Sequence, residues 1–364
     1  MEYVTKALVL FIGLFVVGIQ AVPLKANEFT QSVFDVNEKL GLNLLNLGGS
    51  TKEFERWSFS FENDFLVPGG KDQDYTYGFS GSYVGTDLKD NFFTRSRKLG
   101  DELLGIESNL IQRRSMEVGL YAFTPAEPRE EVKDAQDRPF ASLVYVSTGA
   151  DRVSPRNKTV LRSQLTFGVL GLNIAAELQS MTHQLLDSAE EVGWNRQISD
   201  GGEPTFRYSL SKQQLLGELG NNYELKHTRS ISLGYITEAS WGLSFRAGDI
   251  QSAWYGFSPE VATYAESSVK TQKEYRESYF WAGVAVKARA YNAFLQGQFK
   301  HSPVTFDSDE LNHFLVEAWL GYTHGFKNGF YFSYGLRGHS SEVRHGVANR
   351  SVVWGGLMIG KRIH

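Results

Sequence analysis

Two strand-like segments facing each other across one short loop constrain this chain more than any other feature. Trp57 to Asp64 alternates apolar and polar residues, and Tyr75 to Tyr83 does so again after a Pro/Gly/Asp-rich loop from Phe65 to Asp74. Period-two alternation on both sides of a turn-rich segment reads as a β-hairpin. Trp57, Phe59 and Phe61 share one face of the first strand, and Tyr75, Tyr77, Phe79 and Tyr83 share one face of the second. Ser58, Ser60 and Glu62, then Thr76, Ser80 and Ser82, take the opposite faces. One face is aromatic and the other polar, as in a barrel strand with lipid outside and a wet interior.

The rest of the sequence bears on whether such a barrel closes. Strand-like stretches recur at 114–123, 141–151, 159–170, 205–215, 224–236, 240–248, 278–290, 292–300, 314–322, 330–338 and 351–361. With the first hairpin that makes about thirteen candidates, and single-chain bacterial barrels have even counts, so about twelve strands are expected. A soluble sandwich is the competing all-β architecture. Mean hydropathy is −0.30, and beyond the N-terminus no segment reads as a membrane helix, so a membrane protein of this sequence has to be a transmembrane antiparallel β-barrel.

The N-terminus reads as a processing signal. Lys6 precedes the uncharged apolar run from Ala7 to Ile19, which is shorter than the roughly 20 residues needed to span a bilayer, and small residues follow at Ala21 and Ala26. The expected organisation is a signal peptide over 1–26, cut near 21 or 26, an extension over 27–52 and a barrel over 53–364. The chain has no cysteine, which excludes disulfide staples and thiol chemistry. A net charge of −4 argues against nucleic acid as a partner.

Two connections are too rich in apolar residues to be simple turns. Gly85 to Arg113 carries Phe92, Leu99, Leu103 and Leu104, and a short helix is expected there. Asn173 to Leu186 lacks Gly and Pro and opens on an N-cap residue, with Ile174, Leu178, Met181 and Leu185 at helical spacing. Gln179 and His183 lie four apart and so share one face of that helix.

Counting strands outward from a periplasmic N-terminus brings the unusual polar groups to one rim. Asn63 and Asp64 end the first strand and Thr76 begins the second. Asp137 and Arg138 lie in the second outer loop, and Gln179 and His183 in the third. Each has an ordinary reading: Asn and Asp open turns, Asp137 and Arg138 pair on a surface, and a histidine sits satisfied on a helix. Their joint placement favours chemistry. A neutral imidazole at His183 takes a proton from water, and the oxygens of Asn63, Asp64 and Thr76 suit Ca²⁺. No CxxC, HExxH or Gly-x-Ser-x-Gly pattern is present, so neither a zinc site nor a nucleophile elbow is suggested.

At these residues the chain resembles the outer-membrane lipid A 3′-O-deacylase family, LpxR. The matching pieces are Glu62-Asn63-Asp64, Asp74 to Gly78, Thr124-Pro125, Asp137 to Ala141, Gly168 to Gly171 with Gln179 and His183, Gly193 to Gln197, Leu233-Gly234 with Thr237, Gly242 and Arg246, and Tyr291 to Leu295. The resemblance implies a twelve-stranded outer-membrane barrel that removes the 3′-linked acyloxyacyl chain of lipid A in lipopolysaccharide and requires calcium. It implies active-site roles for Asn63, Asp64, Thr76, Gln179 and His183. The family's acidic residue after the histidine falls at Ala189, beside Glu190 and Glu191, and Glu190 is assigned. A substrate-binding cation is expected in the second outer loop, with Arg138, Lys133 and Arg129 as candidates. The competing functions are a non-catalytic barrel, as channel or structural protein, and another outer-membrane lipid esterase such as a phospholipase.

Overall fold

The computed structural model describes residues 54–68, 74–85, 90–107, 113–126, 137–174, 176, 193–259 and 276–362. Twelve antiparallel strands close into one barrel: β1 (Phe54–Asn63), β2 (Asp74–Gly85), β3 (Arg113–Thr124), β4 (Ala141–Ser154), β5 (Thr159–Leu170), β6 (Glu203–Leu219), β7 (Tyr223–Gly234), β8 (Ile236–Asp249), β9 (Glu277–Asn292), β10 (Phe314–Gly325), β11 (Phe330–His339) and β12 (Val352–Arg362). Each strand pairs with its sequence neighbours, and β1 closes on β12 with Phe59 opposite Ile359 and Glu62 opposite Gly356. Closure leaves no edge strand to be satisfied by lipid.

Alternation decides what each face carries. Ser58 meets Ser82, and Ser60 meets Ser80, each hydroxyl pair 2.7 Å apart on the inner face. The same face holds the ion pairs Arg246–Glu224, Arg337–Glu317 and Lys287–Glu317. Outward come Phe59, Val118, Phe206, Ile231, Leu233, Phe280, Val286, Val316 and Leu320, all exposed. So much apolar surface in water would be an aggregation hazard, whereas hydrocarbon accepts it at little cost. Among the described residues no helix is long and apolar enough to cross a membrane, so crossing falls to the strands.

Two sequence expectations are corrected. The thirteenth candidate, 292–300, is not a strand. The Asn292 side chain caps one helical turn, α2 (Ala293–Gln296), and Gly297 at φ +70° ends it. Ala293, Phe294 and Leu295 are all buried in this turn, Ala293 and Phe294 against Tyr235 and Leu143 of the rim. Tyr75 does not share the outward face of Tyr77 and Phe79. A bulge between Tyr75 and Tyr77 shifts the register against β3 and turns Tyr75 inward. There it donates to Glu62 Oε2 at 2.6 Å and stacks on Trp354 at 5.0 Å.

The helix expected between β2 and β3 is α1 (Phe92–Leu103), opened by a capping box between Asn91 and Thr94. It lies outside the barrel, against the outward faces of β3 to β6. Asn91 donates to Met116 Sδ, Phe92 and Phe93 pack on Phe167, and Arg97 donates to Ser163.

Among the described residues, one segment fills part of the lumen. Residues 250–259 enter it from the end that carries Phe54 and Arg362. Lys226 donates to the carbonyl oxygens of Trp254 (3.0 Å) and Phe257 (2.6 Å), and Arg337 to that of Pro259. The Phe257 ring packs on Tyr279 and Trp281. Of the connections at this end, those between β4 and β5, β6 and β7, and β10 and β11 are short and 86–112 and 250–276 are long; at the other end all are longer, those after β1, β3, β5, β9 and β11, except the tight turn between β7 and β8. Long loops face outward in such barrels, so Asn63 and Thr124 stand at the extracellular rim.

Candidate active site on the outer wall

Asn63 ends β1 and also caps the 3₁₀ turn Asp64–Leu66, accepting from Phe65 N at 2.7 Å. Its amide nitrogen donates to the carbonyl oxygen of Thr76. The Thr76 hydroxyl shares a 2.7 Å hydrogen bond with Thr124 Oγ1. Three strand ends are thus tied by three short polar side chains. Asp64 follows at once and is only 2% exposed.

This cluster belongs to the outward side of the wall. Glu62 turns inward, so its strand neighbour Asn63 turns away from the lumen; Thr76 is the extra residue of the bulge, and its hydroxyl leaves the inner face expected for it with Ser80 and Ser82 and meets Thr124 instead. Phe123 packs inward on Tyr75 and Phe294, which sends Thr124 outward. The 3₁₀ turn lies over β12: a side chain on Gly355 would strike Leu66, and Tyr334 OH donates to Leu66 O at 2.7 Å. Beside the cluster, Tyr77, Leu120, Ala122, Phe140 and Trp194 form an apolar patch against which Ile174 and Ala176 pack. Residues 174 and 176 are helical, in line with the helix expected after Asn173.

The inner side of the same rim is built from charge. Arg350 grips Asp74 through two hydrogen bonds of 2.8 and 2.6 Å and reaches Asp137 at 2.8 Å. Asp74 sits at φ +75°, a left-handed conformation that few residues other than glycine adopt, at the point where β2 begins. Arg138 faces Asp74 at 3.6 Å and Glu342 at 3.4 Å and covers the Phe123 ring. Glu342 also receives Arg289 and, at 2.9 Å, Asn292 Nδ2. Burial alone would push the Glu342 carboxyl up; the facing His339, Arg289 and Arg138 outweigh it and hold the carboxyl down at about 2. Asp137 and Arg138 do not form the surface pair that their adjacency suggests. Each is drawn to a partner far away in sequence.

The structure therefore brings Asn63, Asp64, Thr76 and Arg138 to one rim, the first three outside the wall and Arg138 within it. Lys133, Gln179, His183, Glu190 and Glu191 lie outside the described residues, as do the expected signal peptide and N-terminal extension. Thr124 stands out in sequence only through its motif with Pro125. Its position next to Pro125 at a strand end was the available signal. Arg350 gives no local signal, since its partner Asp74 is 276 residues away.

The oxygens here fit a hard cation in kind. Asp64 supplies a buried carboxylate, Asn63 Oδ1 has a second lone pair beyond its bond to Phe65, and Thr76 brings a hydroxyl. Among the described residues no three His, Cys, Asp or Glu side chains gather to hold a metal, so any such ion relies on neutral oxygens as well.

The family model for outer membrane protein LpxR matches residues 14–363. The chain belongs to the LpxR family. It is an outer-membrane protein, and the barrel agrees. LpxR from Salmonella typhimurium superposes with a TM-score of 0.66 at 19% identity, covering 85% of this chain and 100% of that one. The β-domain of the Bordetella autotransporter BrkA (TM-score 0.41, 10% identity) and the KdgM porin (0.36, 4%) each cover 85% of this chain and 100% and 99% of their own. No curated protein sequence matches.

Proposed function

We propose that this LpxR-family barrel hydrolyses the 3′-linked acyloxyacyl ester of lipid A from the outer leaflet. The observation that carries the reading is the placement of Asn63, Thr76 and Thr124 on the outward side of the wall at the extracellular rim. A lipid in the outer leaflet meets them sideways and need not enter the lumen. A channel needs an open lumen, whereas here residues 254–259 enter it and are held by Lys226, Arg337 and Trp281.

In this reading His183 is the general base. Ile174 and Ala176 pack on the outward patch beside Tyr77, and Gln179 and His183 continue the same segment three and seven residues beyond Ala176. His183 takes a proton from water as the oxygen attacks the ester carbonyl. The bond to the sugar 3-oxygen breaks, and the proton passes to that oxygen, giving a free acid and a hydroxyl. Glu190 holds the other ring nitrogen in the tautomer this requires, and Gln179 orients the water. Asn63 fixes the strand end and Thr124 fixes the Thr76 hydroxyl. When bound by Asp64, Asn63 and Thr76, Ca²⁺ supplies positive charge for the carbonyl oxygen. Arg138 already faces two carboxylates and a ring, so we assign the cation that contacts substrate to Lys133.

Mass spectrometry of lipid A from cells producing the chain tests the proposal. Loss of the mass of the 3′ acyloxyacyl group, absent with His183→Ala, is the expected result. Unchanged lipid A, with the barrel correctly assembled, overturns it.

A further inference from the structure

Helix α1 is amphipathic in the wrong sense for water. The residues it buries against the barrel, Thr94, Arg97 and Asp101, are polar, whereas its exposed residues are mostly apolar, with Arg95 and Glu102 among them. Arg97 is 0% and Asp101 1% exposed, whereas Leu99 is 61% and Leu103 87% exposed. A helix covering a water-soluble wall does the opposite and buries its leucines.

The polar side is clamped to the wall. Asp101 accepts from Arg97, from Arg152 of β4 and, at 2.7 Å, from Tyr208 of β6. Arg97 and Arg152 both donate to Ser163 of β5, at 2.9 and 3.1 Å. Arg152, Ser163 and Tyr208 belong to the outward face: their neighbours Asp151, Gln164 and Ser209 follow the inner alternation. The clamp therefore lies between the helix and the lipid side of the wall. At the other end of α1, Phe92 and Phe93 pack on Phe167 and join the helix to the apolar belt of the barrel.

We propose that α1 is an in-plane lipid anchor, lying in the phospholipid leaflet that faces the periplasm with Leu99, Leu103 and Leu104 among the acyl chains, Arg97 and Asp101 turned to the barrel, and the exposed Arg95 and Glu102 reaching the headgroups. The occupant follows from continuity. The outward face of β3 to β6 is the membrane-facing surface of an outer-membrane barrel, and α1 extends that surface through Phe92, Leu99, Leu103 and Leu104. The leaflet follows from connectivity, because α1 joins β2 to β3 at the end shared by Phe54 and Arg362. Twelve residues are too few to cross a bilayer. Asp101 serves as the clamp: it holds a short helix to the wall in a medium where unpaired charges are expensive.

The absence of cysteine makes the test clean. Single-cysteine variants of the full chain, Leu99→Cys and Leu103→Cys, are spin-labelled and reconstituted in vesicles of phosphatidylethanolamine and phosphatidylglycerol. Phe206→Cys on the barrel belt serves as the lipid reference and His345→Cys, exposed in an outer loop, as the aqueous one. Labels at 99 and 103 should collide with oxygen in preference to an aqueous nickel chelate, as the Phe206 label does. Preference for the nickel chelate would place α1 in the periplasm, and shielding from both reagents would place it against a protein surface such as a second copy; either result overturns the proposal. Adding Asp101→Asn should increase motion of the Leu103 label while the barrel remains heat-modifiable. Unchanged motion would remove Asp101 from the clamp.

Discussion

Thr76 and Thr124 share a hydroxyl–hydroxyl hydrogen bond of 2.7 Å between β2 and β3, at the one place where a bulge frees Thr76 from strict alternation. The bulge and the bond act together. The first turns the Thr76 side chain out of the lumen, and the second fixes where its hydroxyl points.

Thr124→Val keeps shape and removes that bond. A single hydrogen bond contributes about 1 kcal/mol, so deacylation by the variant should slow about five- to tenfold, with the loss in kcat rather than KM. Assays on purified enzyme with lipid A in mixed micelles decide it. Full kcat would leave Thr124 as a strand residue only.

His183→Ala should leave a heat-modifiable barrel and lower turnover by about 10²–10⁴-fold, the usual cost of losing a general base. Gln179→Ala should be milder. Near-normal release of the acyl chain by His183→Ala would return the histidine to a structural role.

Chelation should stop hydrolysis without unfolding the barrel, and added Ca²⁺ should restore it. Asp64→Asn, which removes the charge and little else, should raise the Ca²⁺ concentration needed for half-activity by about tenfold or more. Activity that persists in excess chelator would assign Asn63 and Asp64 to orienting the turn.

The charged rim predicts a pH dependence of stability. The folded pKa of Glu342, about 2, lies below its unfolded value of about 4.3. Its pairing therefore contributes in full above about pH 4.3 and is lost as the pH falls toward about 2. Glu342→Gln should be less stable at neutral pH by about 1–3 kcal/mol and should lose less on acidification. Urea titrations of the detergent-solubilised barrel at several pH values would show this as converging curves, and parallel curves would remove Glu342 from the effect.

Much of the fold was legible because a barrel wall repeats one rule. Trp57 to Glu62 announces both faces, and ten of the eleven later stretches became strands within a few residues of the expected ends. Tyr75 was misread because a bulge leaves no mark in a sequence that still alternates. The stretch 292–300 was misread because three buried residues in a row looked like a strand core. The rim was legible as a convergence of loops, and Asp74 does meet Arg138 there. Which side of the wall each residue faces was not legible. That depends on the bulge, on the turn Asp64–Leu66 and on Arg350, whose partner is remote. Leucines in the β2–β3 connection announced a helix but not its inversion, because the same spacing suits a helix in water or in lipid.

The segment that fills the lumen has a consequence for the cell. With Phe257 seated against Tyr279 and Trp281, and Lys226 and Arg337 holding the backbone around it, the described residues narrow the lumen through which small hydrophilic solutes would have to pass. A barrel plugged in this way should add little to the permeability of the membrane that holds it. In planar bilayers the protein should insert silently, with no conductance steps.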